Sequence, residues 1–198
     1  MNIDSSLVWK SIIEMVNDDI SFIEGNNKII DICRNSYKHN DWNDIQNIDY
    51  SSVVNDFIQC ITPDLKHIEN NINGLYFGVT NVELNNGDFS FAIEYGGTNN
   101  YDENDKDCNW SDKLNWYSAH YLFSNPLYEV YRIANKEDGL GNDIEWPMGL
   151  SISIMGINEM IRIIEKSIKN KTIGIVAGFH DGDMLKLRGI NEYGNKRD

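Results

Sequence analysis

Apolar positions recur at helical spacing through the first 70 residues, and from Gly74 the rhythm changes to alternation. Over residues 5–24, Val8, Trp9, Ile12, Ile13, Val16, Ile20 and Ile23 follow a period of about 3.6 residues. This predicts an amphipathic helix capped by Asp4 or Ser5 and stopped by Gly25. Ile29, Ile30, Ile32, Cys33 and Tyr37 predict a second helix over 27–38. The polar run 39–49 reads as a loop. Val53, Val54, Phe57, Ile58 and Ile61 predict a third helix over about 50–61, with Pro63 either ending it or opening a helical turn through Ile68.

Residues 75–80 and 89–95 are rich in β-branched and aromatic side chains, and Asn85-Asn86-Gly87-Asp88 lies between them. Asn-Gly tolerates positive φ, so this pattern predicts a hairpin. Phe89, Phe91, Ile93 and Tyr95 alternate with Ser90, Ala92 and Glu94, which predicts one buried face. A polar loop is expected over 96–116, then a helix over 125–136 with Ser124 as its cap and Pro126 in its first turn. Residues 137–147 read as loop. A long helix follows from Met148 to about Lys169, and a strand through Leu150–Ile154, where Ser alternates with Ile, is the alternative. A second hairpin closes the pattern, with strands over 172–179 and 184–188 about the turn His180-Asp181-Gly182-Asp183. The expected fold is α+β: N-terminal helices packed with an antiparallel sheet built from two hairpins. No repeat and no Pro- or Ser-rich linker divides the chain. One domain is therefore expected over 1–198, helical over 1–70 and mixed over 71–198.

Charge narrows the function classes. The chain has 31 Asp and Glu against 17 Lys and Arg, a net −14. Nucleic acid and anionic membrane surfaces call for the opposite balance. With 11 % aromatic residues the chain can bury a core, which excludes a disordered class. No uncharged apolar stretch reaches the ~18 residues of a membrane span. The charge is uneven: net −7 over residues 1–70, −9 over 81–150 and +2 over 151–198. Cys33, Cys60 and Cys108 are odd in number and far apart, which argues against a disulfide framework. The start Met1-Asn2-Ile3-Asp4-Ser5-Ser6 has no basic stretch leading into an apolar one. Both features predict a protein kept in a reducing cytoplasm.

Candidate chemistry is sparse. His180, Asp181 and Asp183 bring an imidazole and two carboxylates to one loop tip, a possible metal set, although Asp-Gly is also what a tight turn needs. Laid on a calcium loop from Asp105, the segment puts Trp110 where Gly is required and Trp116 where a bidentate Glu belongs, so it does not match. His120 is a candidate general base in Tyr117-Ser118-Ala119-His120-Tyr121. No nucleophile or phosphate-loop motif occurs. The 96–116 loop mixes Asp102, Glu103, Asp105, Asp107 and Asp112 with Trp110, which suits a face for a basic partner and equally a solvated acidic loop with its Trp residues folded inward.

Two segments carry a resemblance. Gly178-Phe179-His180-Asp181-Gly182-Asp183 with Leu187 and Gly189 is one; Trp110, then Trp116-Tyr117 leading into the Ser124–Ile133 helix, is the other. Both resemble small immunity proteins of bacterial toxin–immunity pairs, including those of contact-dependent growth inhibition. The likeness spans roughly residues 74–190 and leaves the N-terminal helices out. It implies a non-catalytic protein that binds one cognate toxin domain and blocks its active site. Such toxins are often basic nucleases, whose nucleic-acid substrate an acidic inhibitor would mimic in charge. The resemblance transfers no individual binding residue. The expectation is thus a cytoplasmic immunity protein with a basic protein partner and no cofactor. The alternative is a metal-dependent hydrolase or small-ligand domain using the His180–Asp183 loop.

Overall fold

The computed structural model describes residues 2–65, 71–165, 173–180 and 182–190. The first apolar run forms two helices rather than one. In α1 (Ser5–Asn17), the Asp4 carboxylate accepts from Leu7 N at 3.1 Å. Asp19 then turns the chain at a left-handed φ of 54°, a conformation Asp tolerates. Ser21 caps α2 (Phe22–Ser36), accepting from Glu24 N at 3.4 Å. Gly25, expected as a stop, lies inside α2, where it permits close packing: a Cβ there would stand 2.3 Å from Met155 Cε.

The polar stretch expected as loop contains α3 (Asp41–Gln46). Its polarity conceals two fully buried side chains, Trp42 and Ile45. The buried Asp41 carboxylate pairs with Lys136 at 2.8 Å and accepts from Leu140 N at 3.1 Å. α4 (Val53–Leu65) runs through Pro63, whose missing N–H falls in the last turn and removes only one helical bond. The expected turn through Ile68 lies outside the described residues.

β1 (Gly74–Glu83) and β2 (Phe89–Thr98) pair antiparallel with Val79 opposite Ile93, and Gly87 takes a φ of 83° between them. β3 (Trp116–Tyr117) adds two residues to the outer edge of β2. At the start of α5 (Asn125–Ala134), the Ser124 hydroxyl donates to Asp56 Oδ2 at 2.6 Å instead of capping the helix. α6 (Asn142–Leu150) occupies most of the second expected loop and carries Pro147. A π turn over Ser151–Met155 joins it to α7 (Gly156–Ile164). Residues 151–155 are all buried, so the Ser–Ile alternation there marks no strand face. Ser151 instead donates to Asn26 Oδ1 at 2.8 Å, and Ser153 to Leu150 O at 3.2 Å.

β4 (Ile173–Phe179) and β5 (Met184–Ile190) pair antiparallel. The sheet order is β3-β2-β1-β4-β5. The expected antiparallel sheet is corrected here to a mixed one, because β1 and β4 run parallel, with Gly74 opposite Gly174 and Val79 opposite Phe179. Helices α5 to α7 intervene and return the chain to the end where β1 begins, as a parallel crossover requires. The fold is α+β. One sheet face (Leu75, Phe77, Ile93, Tyr95, Ile175, Ala177) joins the helices in the main core. On the other face Tyr76 and Val176 pack against Cys108 and Trp110 of the loop between β2 and β3. No helix among the described residues is long and apolar enough to cross a membrane.

Candidate functional site

The tip between β4 and β5 leaves the sheet beside Val79 of β1, which itself runs on to Glu83. His180 N donates to Val79 O at 3.1 Å, and Phe179 N donates to Asp183 O at 3.0 Å, which fixes the turn. The imidazole reaches back over the outer sheet face. Its Nδ1 lies 3.0 Å from Tyr76 Oη and also contacts Glu94 Oε1, to which the Tyr76 hydroxyl donates at 3.2 Å. A carboxylate only accepts, so the contact favours a proton on Nδ1 and makes Nε2 the basic nitrogen of the neutral ring. Gly78 makes this arrangement possible. The Tyr76 side chain lies across it, and a Cβ at Gly78 would fall 2.0 Å from the phenol oxygen.

This cluster differs from the one suggested by the sequence. His180 meets Glu94 and Tyr76 on neighbouring strands, while Asp183 is exposed and Asp181 lies outside the described residues. Among the described residues no three His, Cys, Asp or Glu side chains converge as a metal-holding group. Glu94 looked in the sequence like one more outward residue of an alternating strand. Its only signal was that it shares a sheet face with the position where β4 ends, and that requires the β1/β4 register. His120 is exposed, with its backbone N–H donating to Ser118 Oγ at 3.0 Å.

The acidic loop divides into clamps and exposed carboxylates. Trp110 is buried at 4 % exposure and meets Tyr101 edge to face at 5.2 Å. Both rings pack toward glycine positions of β1 and β4: a Cβ at Gly74 would stand 2.9 Å from the Trp110 ring, and one at Gly174 would stand 2.0 Å from the Tyr101 ring. Asp105 accepts from Asp107 N at 3.1 Å, Asn109 Nδ2 at 3.0 Å and Trp110 N at 3.3 Å, so it holds the short 3₁₀ turn at Asn109–Asp112. Lys186 donates to Glu103 O at 2.7 Å and sits 5.1 Å from the Tyr101 ring centre, tying the loop to β5. Asp102, Glu103, Asp107 and Asp112 remain exposed.

Two depressions flank the tip, and both are lined by His180, Gly182 and Asp183. The one on the loop side, about 590 Å³, also takes in Asp107, Asp112, Tyr76 and Trp9. The structure therefore joins two features that the sequence presented as rivals, the acidic loop and the His180–Asp183 tip. It leaves Trp110 buried and Asp105 half-buried, both as supports. Comparison of the chain with known protein families, with characterised proteins and with solved structures found no match, so the chemistry of this groove rests on its own geometry.

Proposed function

We propose that this protein is a non-catalytic inhibitor of the immunity type, which captures a basic toxin domain in the cytoplasm and covers its active site. The observation that carries this reading is the convergence of Asp107, Asp112 and Asp183, against Lys106 as the one lysine among the described residues there, on one groove with Tyr76 and Trp9 in its lining. Carboxylates steer a basic partner into encounter, and aromatic groups supply the area that holds it. The net charge of −14 extends the same steering to longer range. The test is association with the basic protein encoded beside this one. The double variant Asp107→Lys/Asp112→Lys should slow association by about tenfold or more at low salt and flatten its salt dependence. An unchanged rate and salt slope would overturn the reading.

A second reading is favoured by one observation, the Glu94 carboxylate held against His180 Nδ1. A carboxylate that orients an imidazole is an arrangement used by general bases. Metal bound to the purified protein and lost in Asp183→Asn would favour a hydrolase at the tip over the inhibitor.

A further inference from the structure

The second depression lies on the helical side of the tip. It has a volume of about 810 Å³ and opens beside Val79, Thr80 and Asn81 of β1, past the carboxyl end of β4, between Phe179 on the sheet and Trp146 on α6. Gly149 of α6 lets the Phe179 ring seat against the helix, since a Cβ there would stand 3.0 Å from Phe179 Cζ. The resulting wall is aromatic. The cleft's acidic groups are Glu145 and Asp183, its imidazole is His180, turned to Glu94 and Tyr76, and no Lys or Arg among the described residues lines it.

The sign of the ligand follows from these groups. α6 begins at the cleft, and a helix N-terminus usually favours an anion. Here the first-turn N–H groups of Asp143, Ile144 and Glu145 already donate to the carbonyls of Leu140 and Gly141, at 3.1, 2.9 and 2.9 Å. Of the two carboxylates in that turn, Asp143 is buried and accepts from Asn2 N at 2.7 Å and Asn2 Nδ2 at 3.0 Å, which leaves Glu145 in the lining. Glu145 Oε1 accepts from Asn135 Nδ2 at 2.5 Å, which holds the side chain while using one of its roughly four acceptor positions. The cleft is therefore suited to a cation with a flat, weakly hydrated body.

We infer that this cleft seats an arginine side chain presented by a protein partner, with the guanidinium against Trp146 and Phe179 and donating to Glu145 and Asp183. A guanidinium stacks on aromatic faces and forks onto carboxylates, whereas the compact ammonium of lysine does neither as well. The inference deepens the inhibitor reading by naming the group the partner presents, and it rests on that reading for the partner alone. Its test uses the chain by itself, titrated with N-acetyl-arginine methylamide and followed at the Trp146 indole N–H by NMR, the resonance being assigned with Trp146→Phe. Saturable binding on the order of millimolar is expected. The uncharged N-acetyl-citrulline methylamide, which has the same shape, should give no saturable shift. Glu145→Gln, which keeps an acceptor for Asn135, and Asp183→Asn should each weaken binding about fivefold. Equal binding of the citrulline compound, absence of saturation, or an unchanged affinity in Glu145→Gln would overturn the inference. If the arginine compound binds as expected while Asp107→Lys/Asp112→Lys leaves partner association unchanged, the cleft stands and the inhibitor reading falls.

Discussion

At the scale of single residues, Asp105 holds the 3₁₀ turn by accepting from Asp107 N, Asn109 Nδ2 and Trp110 N, while Asp107 lines the groove. The two are indistinguishable in the sequence. Glu94 acquires its place only through His180, far along the chain. Cys33 was legible as a small buried hydrophobe, and the structure adds a titration to it. Burial first, and the nearby Asp143 charge second, push its thiol from 9.0 up to about 12. The neutral thiol is thus favoured in the fold. Above about pH 9 the unfolded chain loses this proton and the folded one keeps it, so the contribution is complete below pH 9 and is lost as pH rises towards 12. The loss should be about 1.4 kcal/mol per pH unit. Urea titrations at pH 8.5 to 10 should therefore show a shallower fall in stability for Cys33→Ala than for the parent chain. Equal slopes would contradict this, and Tyr50 and Tyr95, also raised by burial from 10.0, add their own losses only higher up.

At the scale of elements, periodicity located most helices and strands and failed where polarity hid burial. Periodicity does not reveal α3 because Asp41, Asn43 and Asp44 surround Trp42 and Ile45, and the tertiary pair Asp41–Lys136 that holds it is not visible locally. Nor does periodicity reveal α6, because Gly139, Gly141 and Pro147 punctuate its surroundings, although Pro147 is accommodated within it. The split between α1 and α2 was written in Ser21 and Glu24, a capping pattern that the continuous apolar run masked. The acidic loop behaves as an element in its own right, laid on a sheet face kept low by glycine. Gly174→Ala puts a Cβ into the Tyr101 ring and should lift the loop, at a cost of about 1–3 kcal/mol. Limited proteolysis should then cut within residues 99–115, and Trp110 emission should shift to the red while far-UV circular dichroism holds. A protease-resistant loop in this variant would show that the glycine floor does not set its seat.

At the scale of the whole molecule, the α+β class and both antiparallel strand pairs were readable from alternation and turn residues, whereas the parallel centre of the sheet was not. Nothing local couples Gly74 to Gly174; that pairing is decided by where three helices set the chain down. It also has a consequence in time. β1 cannot gain its second neighbour until β4 is in place, so during synthesis or refolding Leu75, Phe77 and Val79 lie on a strand with one open edge. Non-local strand pairing of this kind is slow, and an open apolar edge invites other chains. The residues made before β4 carry the acidity, net −7 over 1–70 and −9 over 81–150. Mutual repulsion at that charge keeps incomplete chains apart. Refolding yield from urea should therefore fall as sodium chloride approaches about 0.5 M, where the screening length is only a few ångströms, and a flat yield would refute this. The acidity proposed for recognition in the finished protein thus first acts as a solubility guard for an unfinished one.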